Sequence, residues 1–413
     1  MLKKHLTLLL FLCAASALHA TNYLTFTAEE DDSKFGIKTT SDWVDPDIDT
    51  HWDNPDIKIQ YSLNGGKSWT KLPADTLIPL KRKGDKALLR GNNPQGFSDT
   101  TSKYTKFVMT GRIAASGSIM SLIGGNEKNL TIKGEKCFYR LFIDCTSLTQ
   151  APELPAKTLA PGCYEEMFKG CTNLTQAPKL PAKKLSDECY LEMFGNCTSL
   201  TQAPELPATT LAKNCYQCMF GKCINLTQAP QLPATTLSEN CYMGMFGGCT
   251  SLTQAPQLPA TQLTDSCYAA MFAECSSLTK APQLPATQLK KDCYKMMFRE
   301  CTSLTEAPEL PAQTLTNGCY IGMFKGCSKL AEIKVGFTDW GEKYRSVSEE
   351  EEIDLSDIVD EIDVPVAVEE DEHWSTSNWL ENVAPKGKFI CPKKLPKEFG
   401  ESRIPQGWKI IKN

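Results

Sequence analysis

A nonapeptide with a cysteine at each end returns every 26 residues, and it constrains the fold more than any other feature of the chain. It reads CYEEMFKGC from Cys163 to Cys171 and CYIGMFKGC from Cys319 to Cys327. Eight such units start at 26-residue intervals from Cys137, and seven near-identical arms such as TSLTQAPELPATTL (198–211) join them. Self-similarity at this period is typical of a solenoid, in which each unit buries its apolar face only against its neighbours.

Each unit has two halves of different character. Cys163, Met167 and Cys171 are spaced i, i+4, i+8, which predicts one apolar stripe of a short helix. The stretch 174–177 has room for a short strand, and Pro178 cannot donate to a ladder, so strand pairing is expected to end there. The sequence therefore predicts an α/β solenoid over 137–335, leucine-rich-repeat-like, with short helices and short parallel strands about 4.8 Å apart.

The repeat resembles the BspA-like leucine-rich repeats of bacterial surface proteins. The resemblance rests on Gly-Cys-Thr-x-Leu-Thr-x-Ala-Pro-x-Leu-Pro-Ala followed by Cys-Tyr-x-x-Met-Phe, and it covers about 137–335. YSLNGGKSW and GRIAASGSIMSL before the repeats, and FTDW, SNWL and FICPKKLPKEFG after them, are similar to the flanks of such proteins. The resemblance implies an exported, non-enzymatic protein that adheres to host matrix proteins or to other bacteria.

The cysteines admit two interpretations. Eight helical residues would place the two sulfur atoms of a unit roughly 12 Å apart along the helix, and a disulfide needs Cα atoms within about 7 Å. Helices about 8–10 Å apart would also separate the first cysteine series, whereas the second series, nearer the strands, stays within bonding range. We expect small buried thiols, with inter-repeat disulfides as the alternative. Cys218, in the lone Cys-x-x-Cys motif, is expected at the surface.

No metal or cofactor is expected at these cysteines. Structural zinc sites use closely spaced Cys-x-x-Cys pairs or added histidines, and only His51 and His373 follow residue 20. A cysteine nucleophile lacks a histidine partner for the same reason.

Residues 1–20 predict a cleaved secretory signal. Lys3 and Lys4 precede the apolar run LTLLLFLCAASA, and small-residue exits follow at Ala17 and Ala20. No other stretch approaches the roughly 18 apolar residues of a membrane helix. We therefore expect an exported protein without a transmembrane segment, at the cell surface or outside the cell.

The region 21–136 predicts a β-rich N-terminal cap domain. YLTFTA, IKIQYSL and KYTKFVM alternate as strands do, and Asn-Gly in SLNGGKSW (62–69), which looks like a single Asp-box, predicts a hairpin. DPDIDTHWDNPD within it has the oxygen-ligand spacing of a calcium loop, although Thr50 replaces the required glycine, so a solvated acidic loop is the alternative. The candidate ligands are Asp45, Asp47, Asp49, Asp53 and Asp56.

The C-terminal closing segment, 336–413, contains an acidic insertion at 342–372. This insertion has 14 Asp and Glu against Lys343 and Arg345, a local charge of −12 in a chain whose net charge is −5. Such a block is typical of a solvated or unstructured stretch, and a partner-binding arm is the alternative.

A candidate binding face follows from the positions that flank Ala-Pro in each arm, because solenoids bind along extended faces. These positions form a polar, glutamine-rich strip that we expect to bind a ligand. The alternative is that the residues only keep the surface soluble. They are Gln150, Glu153, Gln176, Lys179, Gln202, Glu205, Gln228, Gln231, Gln254, Gln257, Lys280, Gln283, Glu306 and Glu309.

The function expected from these features is adhesion to a protein or an extracellular matrix component. Nothing in the acidic overall balance indicates nucleic acid. A secreted scaffold or glycan-binding protein of the cell envelope is one alternative. A carbohydrate-active enzyme is another, but the sequence has no convergent acid/base pair on a recognisable scaffold.

Overall fold

The computed structural model describes residues 22–41, 57–98, 103–124, 130–345 and 372–413. In these ranges the regular structure is almost entirely β, and the one helical segment is a 3-10 turn at Ile119–Leu122. The predicted signal at 1–20 lies outside them. The strands are β1 (Leu24–Ala28), β2 (Ser33–Ser41), β3 (Ile59–Ser62), β4 (Thr70–Lys71), β5 (Ile78–Leu80), β6 (Lys86–Gly91), β7 (Lys103–Thr110), β8 (Ile113–Ser116), β9 (Leu148–Gln150), β10 (Glu332–Lys334), β11 (Tyr344–Arg345), β12 (Glu372–His373), β13 (Lys388–Cys391) and β14 (Lys409–Lys412).

The predicted α/β fold class is wrong, because the repeat units form no helices. Each cysteine-bounded nonapeptide is a string of turns, here called the turn segment of its unit. Its N–H groups alternate between two kinds of partner. The N–H of Met167 donates to Tyr164 O three residues back (3.2 Å), whereas the N–H of Phe168 donates to Met193 O in the next unit (3.0 Å). A helix would keep all these bonds within itself, so half of the bonding here joins units instead.

Every fourth residue, counted from the one just before the turn segment, has a left-handed backbone. In the second unit these are Gly162, Glu166 and Gly170, with φ of 57°, 50° and 74°. The same three positions have positive φ in each of the eight units, mostly without glycine. This period of four directs Cys163, Met167 and Cys171 inward. Their spacing of i, i+4, i+8 is also that of one face of a helix, so the sequence pattern alone does not distinguish the two structures.

Close stacking of the units produces two columns of buried aromatic rings. Seven tyrosines stack from Tyr164 to Tyr320, with neighbouring ring centroids such as Tyr164 and Tyr190 5.8 Å apart. Eight phenylalanines stack in parallel from Phe142 to Phe324, and Phe168 and Phe194 lie 5.7 Å apart with 7° between the ring planes. The units are therefore separated by less than the about 8–10 Å of packed helices.

All sixteen repeat cysteines are buried and in the thiol form. The sulfur separations expected within a helix and between packed helices do not apply, because the units form no helices. The structure nevertheless has thiols at all these positions. In the second series, Cys171 Sγ donates to Phe142 O of the preceding unit at 3.1 Å, and six further units repeat this bond. Burial raises the pKa of Cys137 and of Cys223 to about 12.

The N-terminal region covers the first unit. Its two sheets have the strand orders β4-β3-β6-β1-β8-β9 and β5-β2-β7, and Phe26 packs between them against Phe35 and Phe107, with centroids 5.4 and 5.0 Å apart. Phe107 also stacks on Phe142, the first ring of the phenylalanine column (5.0 Å). Strand β8 pairs in parallel with β9 of the first arm, so one sheet continues into the repeats.

A ninth turn segment without cysteine closes the opposite end. The N–H groups of Tyr320 and Phe324 donate to Ser375 O and Trp379 O, as each repeat does to the next. Trp379 stacks on Tyr320 at 6.2 Å and ends the tyrosine column. Strands β10, β13 and β14 then form a parallel sheet in that order. This unit has Ser375 and Val383 in place of the cysteines, so the cysteine spacing in the sequence does not reveal it.

Substituting Ala270 and Ala269 by glycine tests the turn segment directly. Both methyl groups are buried, but only Ala270 has positive φ (52°). Ala270→Gly relieves a left-handed strain of about 1 kcal/mol, which offsets the lost methyl contacts. Ala269→Gly loses the methyl and adds a backbone entropy cost, together about 1–2 kcal/mol. Denaturant titrations should show the loss for Ala269→Gly only, whereas equal losses would fit a helix.

Thiol reactivity tests the state of the cysteines. Because the thiols are buried and hold their protons, native protein lacking residues 1–20 should not react with a disulfide reagent at pH about 8. After denaturation without reductant, all 18 cysteines of that chain should react. A shortfall in the denatured protein would show inter-repeat disulfides.

Candidate binding face

Two columns of backbone pairing run along the arms of the solenoid. The first joins residues just before Ala-Pro, as in Gln202 with Gln228 and Gln254 with Lys280. The second lies near the end of the arm, as in Thr210 with Thr236. All these pairs are parallel and 26 residues apart, so equivalent side chains lie one above another at about 5 Å intervals.

Buried leucines hold the arm between these columns. Leu174, Leu180 and Leu185 of the second arm lie in the core, and their equivalents in the following four arms do likewise. Pairing in the first column is confined to isolated bridges before Ala-Pro, as expected from the missing proline N–H.

All fourteen residues of the predicted strip are exposed, and backbone bridges such as Gln202–Gln228 and Lys280–Glu306 stack members before Ala-Pro one above another. Four of them have recorded side-chain partners. Glu153 accepts from Asn22 Nδ2 at 2.7 Å, Lys280 pairs with Glu306 at 3.4 Å, and Glu309 pairs with Lys334 at 2.9 Å. Within the described ranges the other ten, among them all eight glutamines, make no side-chain bond to the protein. Their amide donors and acceptors are therefore available to a ligand.

A column of exposed threonines borders the strip and was missed in the sequence analysis. It runs through Thr175, Thr201, Thr227, Thr253, Thr279 and Thr305. Thr305 Oγ1 donates to Thr279 O at 3.3 Å, and similar weak bonds link other neighbours. The constant Thr before Gln, Lys or Glu in every arm was the available signal.

The outer face of the first turn segments has an ionic cluster. Arg140 Nη2 lies 2.8 Å from Glu166 Oε1, and Lys169 Nζ lies 3.4 Å from Glu166 Oε2. Lys136 Nζ lies 3.2 Å from Glu165 Oε2. Burial raises the pKa of Glu165 to about 7 although Lys136 opposes the shift. These groups pair with one another across units, so the cluster ties the first two units together.

The same outer face becomes apolar towards the middle of the solenoid. Cys218, predicted at the surface, is buried there, with only 3% of its surface exposed. It belongs to a small apolar cluster that is separate from the main core. The cluster is buried because the closely spaced turn segments leave no room for solvent between them. The members are Cys218, Met243, Ala269, Ala270, Ala273 and Met296.

The N-terminal region has two further candidate sites, SLNGGKSW and the acidic loop. SLNGGKSW forms the turn between β3 and β4, in which Ser62 Oγ accepts from Gly66 N (2.9 Å) and Asn64 Oδ1 accepts from Ser68 N (3.0 Å). The five candidate calcium ligands, Asp45, Asp47, Asp49, Asp53 and Asp56, lie outside the described residues. Among those described, no group of three or more His, Cys, Asp or Glu is placed to hold a metal ion.

We compared the chain with family models, curated proteins and solved structures. No family model, curated protein or solved structure matches the chain. The likeness to the BspA-like repeats therefore remains a resemblance of motifs. In the part of the chain that the structure describes, no helix has the length and apolar character to cross a membrane.

Stability as a function of pH should depend on Glu165. Its folded pKa of about 7 exceeds its ordinary value of 4.5, so the folded state binds the proton more tightly. Stability is therefore lost as pH rises through this range, by up to about 3 kcal/mol for one such group. Glu165→Gln should be more stable than wild type above pH 7 and equal below pH 4.5 in denaturant titrations.

Glu239→Gln is the matched control, because Glu239 forms a half-exposed pair with Lys213 at 3.5 Å. It should leave the pH profile unchanged. A Glu165→Gln difference that is the same at both ends of the pH range would contradict the assignment.

Proposed function

We propose that this chain is an exported, non-enzymatic binding protein of the cell surface, and that it holds a protein partner along the glutamine-rich strip. The observation that supports this most is the set of ten strip residues whose polar groups have no recorded partner within the described chain. Export rests on the predicted signal at 1–20, and surface adhesion on the resemblance to BspA-like repeats.

The geometry suits an extended partner. Seven arms stacked at about 5 Å intervals span roughly 30 Å between the first and last strip residues. Equivalent side chains repeat along this line in register, so a ligand can make the same amide hydrogen bond at several successive arms. The arms are held by buried leucines and by the aromatic columns, so little ordering is needed on binding.

The strip also has a polarity that can set the direction of a partner. Gln228, Gln231, Gln254 and Gln257 make its centre neutral. Towards the C-terminal end it becomes charged, with Glu306 and Glu309 beside Lys280 and Lys334. Such charges contribute more to orientation and association rate than to affinity.

A binding screen against immobilised matrix proteins and glycans, followed by substitution, tests the proposal. Gln228→Arg with Gln254→Arg places two bulky cations at the centre of the strip. For a ligand found in the screen, the dissociation constant should rise by about tenfold or more, because central contacts dominate interfaces.

The control variant is Gln262→Arg with Gln288→Arg. These two residues pair in the second backbone column, so the chemistry and charge change are identical and only the face differs. The control should retain binding. Equal loss in both variants, or a screened glycan that is hydrolysed, would refute the proposal.

A further inference from the structure

The C-terminal end of the solenoid presents a basic surface. Strand β14 is the last strand of the parallel sheet, and the loop 392–401 lies beside it. Lys412 Nζ fixes this loop by donating to Pro392 O at 3.3 Å and to Leu395 O. From residue 379 to the C-terminus there are eight basic and three acidic residues, a net charge of +5 in a chain whose total is −5.

The lysines of this end outnumber its carboxylates. Along the repeats some lysines pair with a carboxylate of a neighbouring unit, as Lys213 does with Glu239 and Lys325 with Glu381. Others, such as Lys183 and Lys290, are exposed and have no ion pair with a described residue. Five exposed lysines at the C-terminal end have no recorded ion pair with any described residue. They are Lys386, Lys393, Lys394, Lys397 and Lys409.

An exposed phenylalanine lies on the loop that also has Lys393, Lys394 and Lys397. Phe399 is 46% exposed, one of four large hydrophobic residues so exposed in the described chain. The bridge between Phe399 and Ile404 holds its backbone, and Glu398 on the same loop is neutralised by Arg403 at 2.8 Å. An exposed aromatic side chain on a loop with three exposed lysines is a combination that favours a charged interface with an apolar layer beneath it.

Protection of the sheet edge explains only part of the pattern. Lysines at the ends of a terminal strand discourage pairing with another chain, and this accounts for Lys409, whereas Lys412 is bonded to the loop. It does not account for Lys393, Lys394 and Lys397, which lie on the loop and not in the strand.

We propose that the C-terminal end, here called the basic end (Lys386, Lys393, Lys394, Lys397, Phe399 and Lys409), docks on a membrane surface of anionic phospholipid. Lysines close to such a surface gain from its negative potential, and the Phe399 ring enters the headgroup layer. The strip lies along the side of the solenoid and not at its end, so it stays open to a ligand. This docking stands independently of the proposed adhesion function.

Sedimentation with lipid vesicles tests the docking. The full chain after residue 20 is mixed with vesicles of phosphatidylcholine alone or with about 30% phosphatidylglycerol, at about 0.1 M salt. Binding should require phosphatidylglycerol. Lys393→Gln, Lys394→Gln and Lys397→Gln together should weaken it about 100-fold, at about fivefold for each lysine near the surface. Phe399→Ser should weaken it several-fold, and that loss should persist in salt.

The matched control replaces Lys183, Lys184 and Lys290, three exposed repeat lysines, with glutamine. It changes the net charge equally and should bind within about twofold of wild type, since these lysines lie away from the basic end and their charge is screened beyond about 10 Å. Circular dichroism and thermal unfolding check that each variant folds.

Several outcomes would overturn the proposal. These are equal binding to both kinds of vesicle, equal loss in the control, or retention on heparin without binding to vesicles. Displacement by inorganic phosphate at constant ionic strength would point to a phosphate site and not to a lipid surface. Loss of vesicle binding in the strip variants would show that the two faces are not separate.

Discussion

The fold depends on one backbone interaction, the hydrogen bond from every second N–H of a turn segment to the next unit. Because the partner is 25 residues ahead, as in Phe168 N to Met193 O, the bond forms only between stacked units. A single unit would leave half of its turn N–H groups without a partner, and such groups are costly to bury. Both ends therefore need closure, which the N-terminal sheets and the turn segment around Trp379 provide.

The recurring side chains follow from this spacing. Rings of equal size stack without steps, so tyrosine and phenylalanine each form an uninterrupted column. Cysteine is small enough to stay inside beside them, and its weak S–H donor reaches a carbonyl of the preceding unit, as Cys197 Sγ reaches Phe168 O at 3.1 Å. The thiols thus fill the core and support the joining of units, and a disulfide is not needed for either.

Different surfaces of the solenoid have different chemical character. The side of the arms has exposed glutamines with unused amides, and the outer face of the turn segments has ion pairs that give way to a packed apolar cluster. The C-terminal end has lysines without carboxylate partners. A repeat architecture permits this division, because substitutions at exposed positions leave the shared core unchanged.

The sequence by itself determined the period, the eight cysteine-bounded units, the inward direction of Cys163, Met167 and Cys171, and the exposed strip. Only the tertiary structure decided how the backbone achieves that direction. A four-residue period fits both a helix and a series of turns with left-handed residues such as Glu166, and the choice rests on bonds to a neighbouring unit that local pattern does not contain. The burial of Cys218 and the closing role of Trp379 were decided in the same way, by contacts between units distant in sequence.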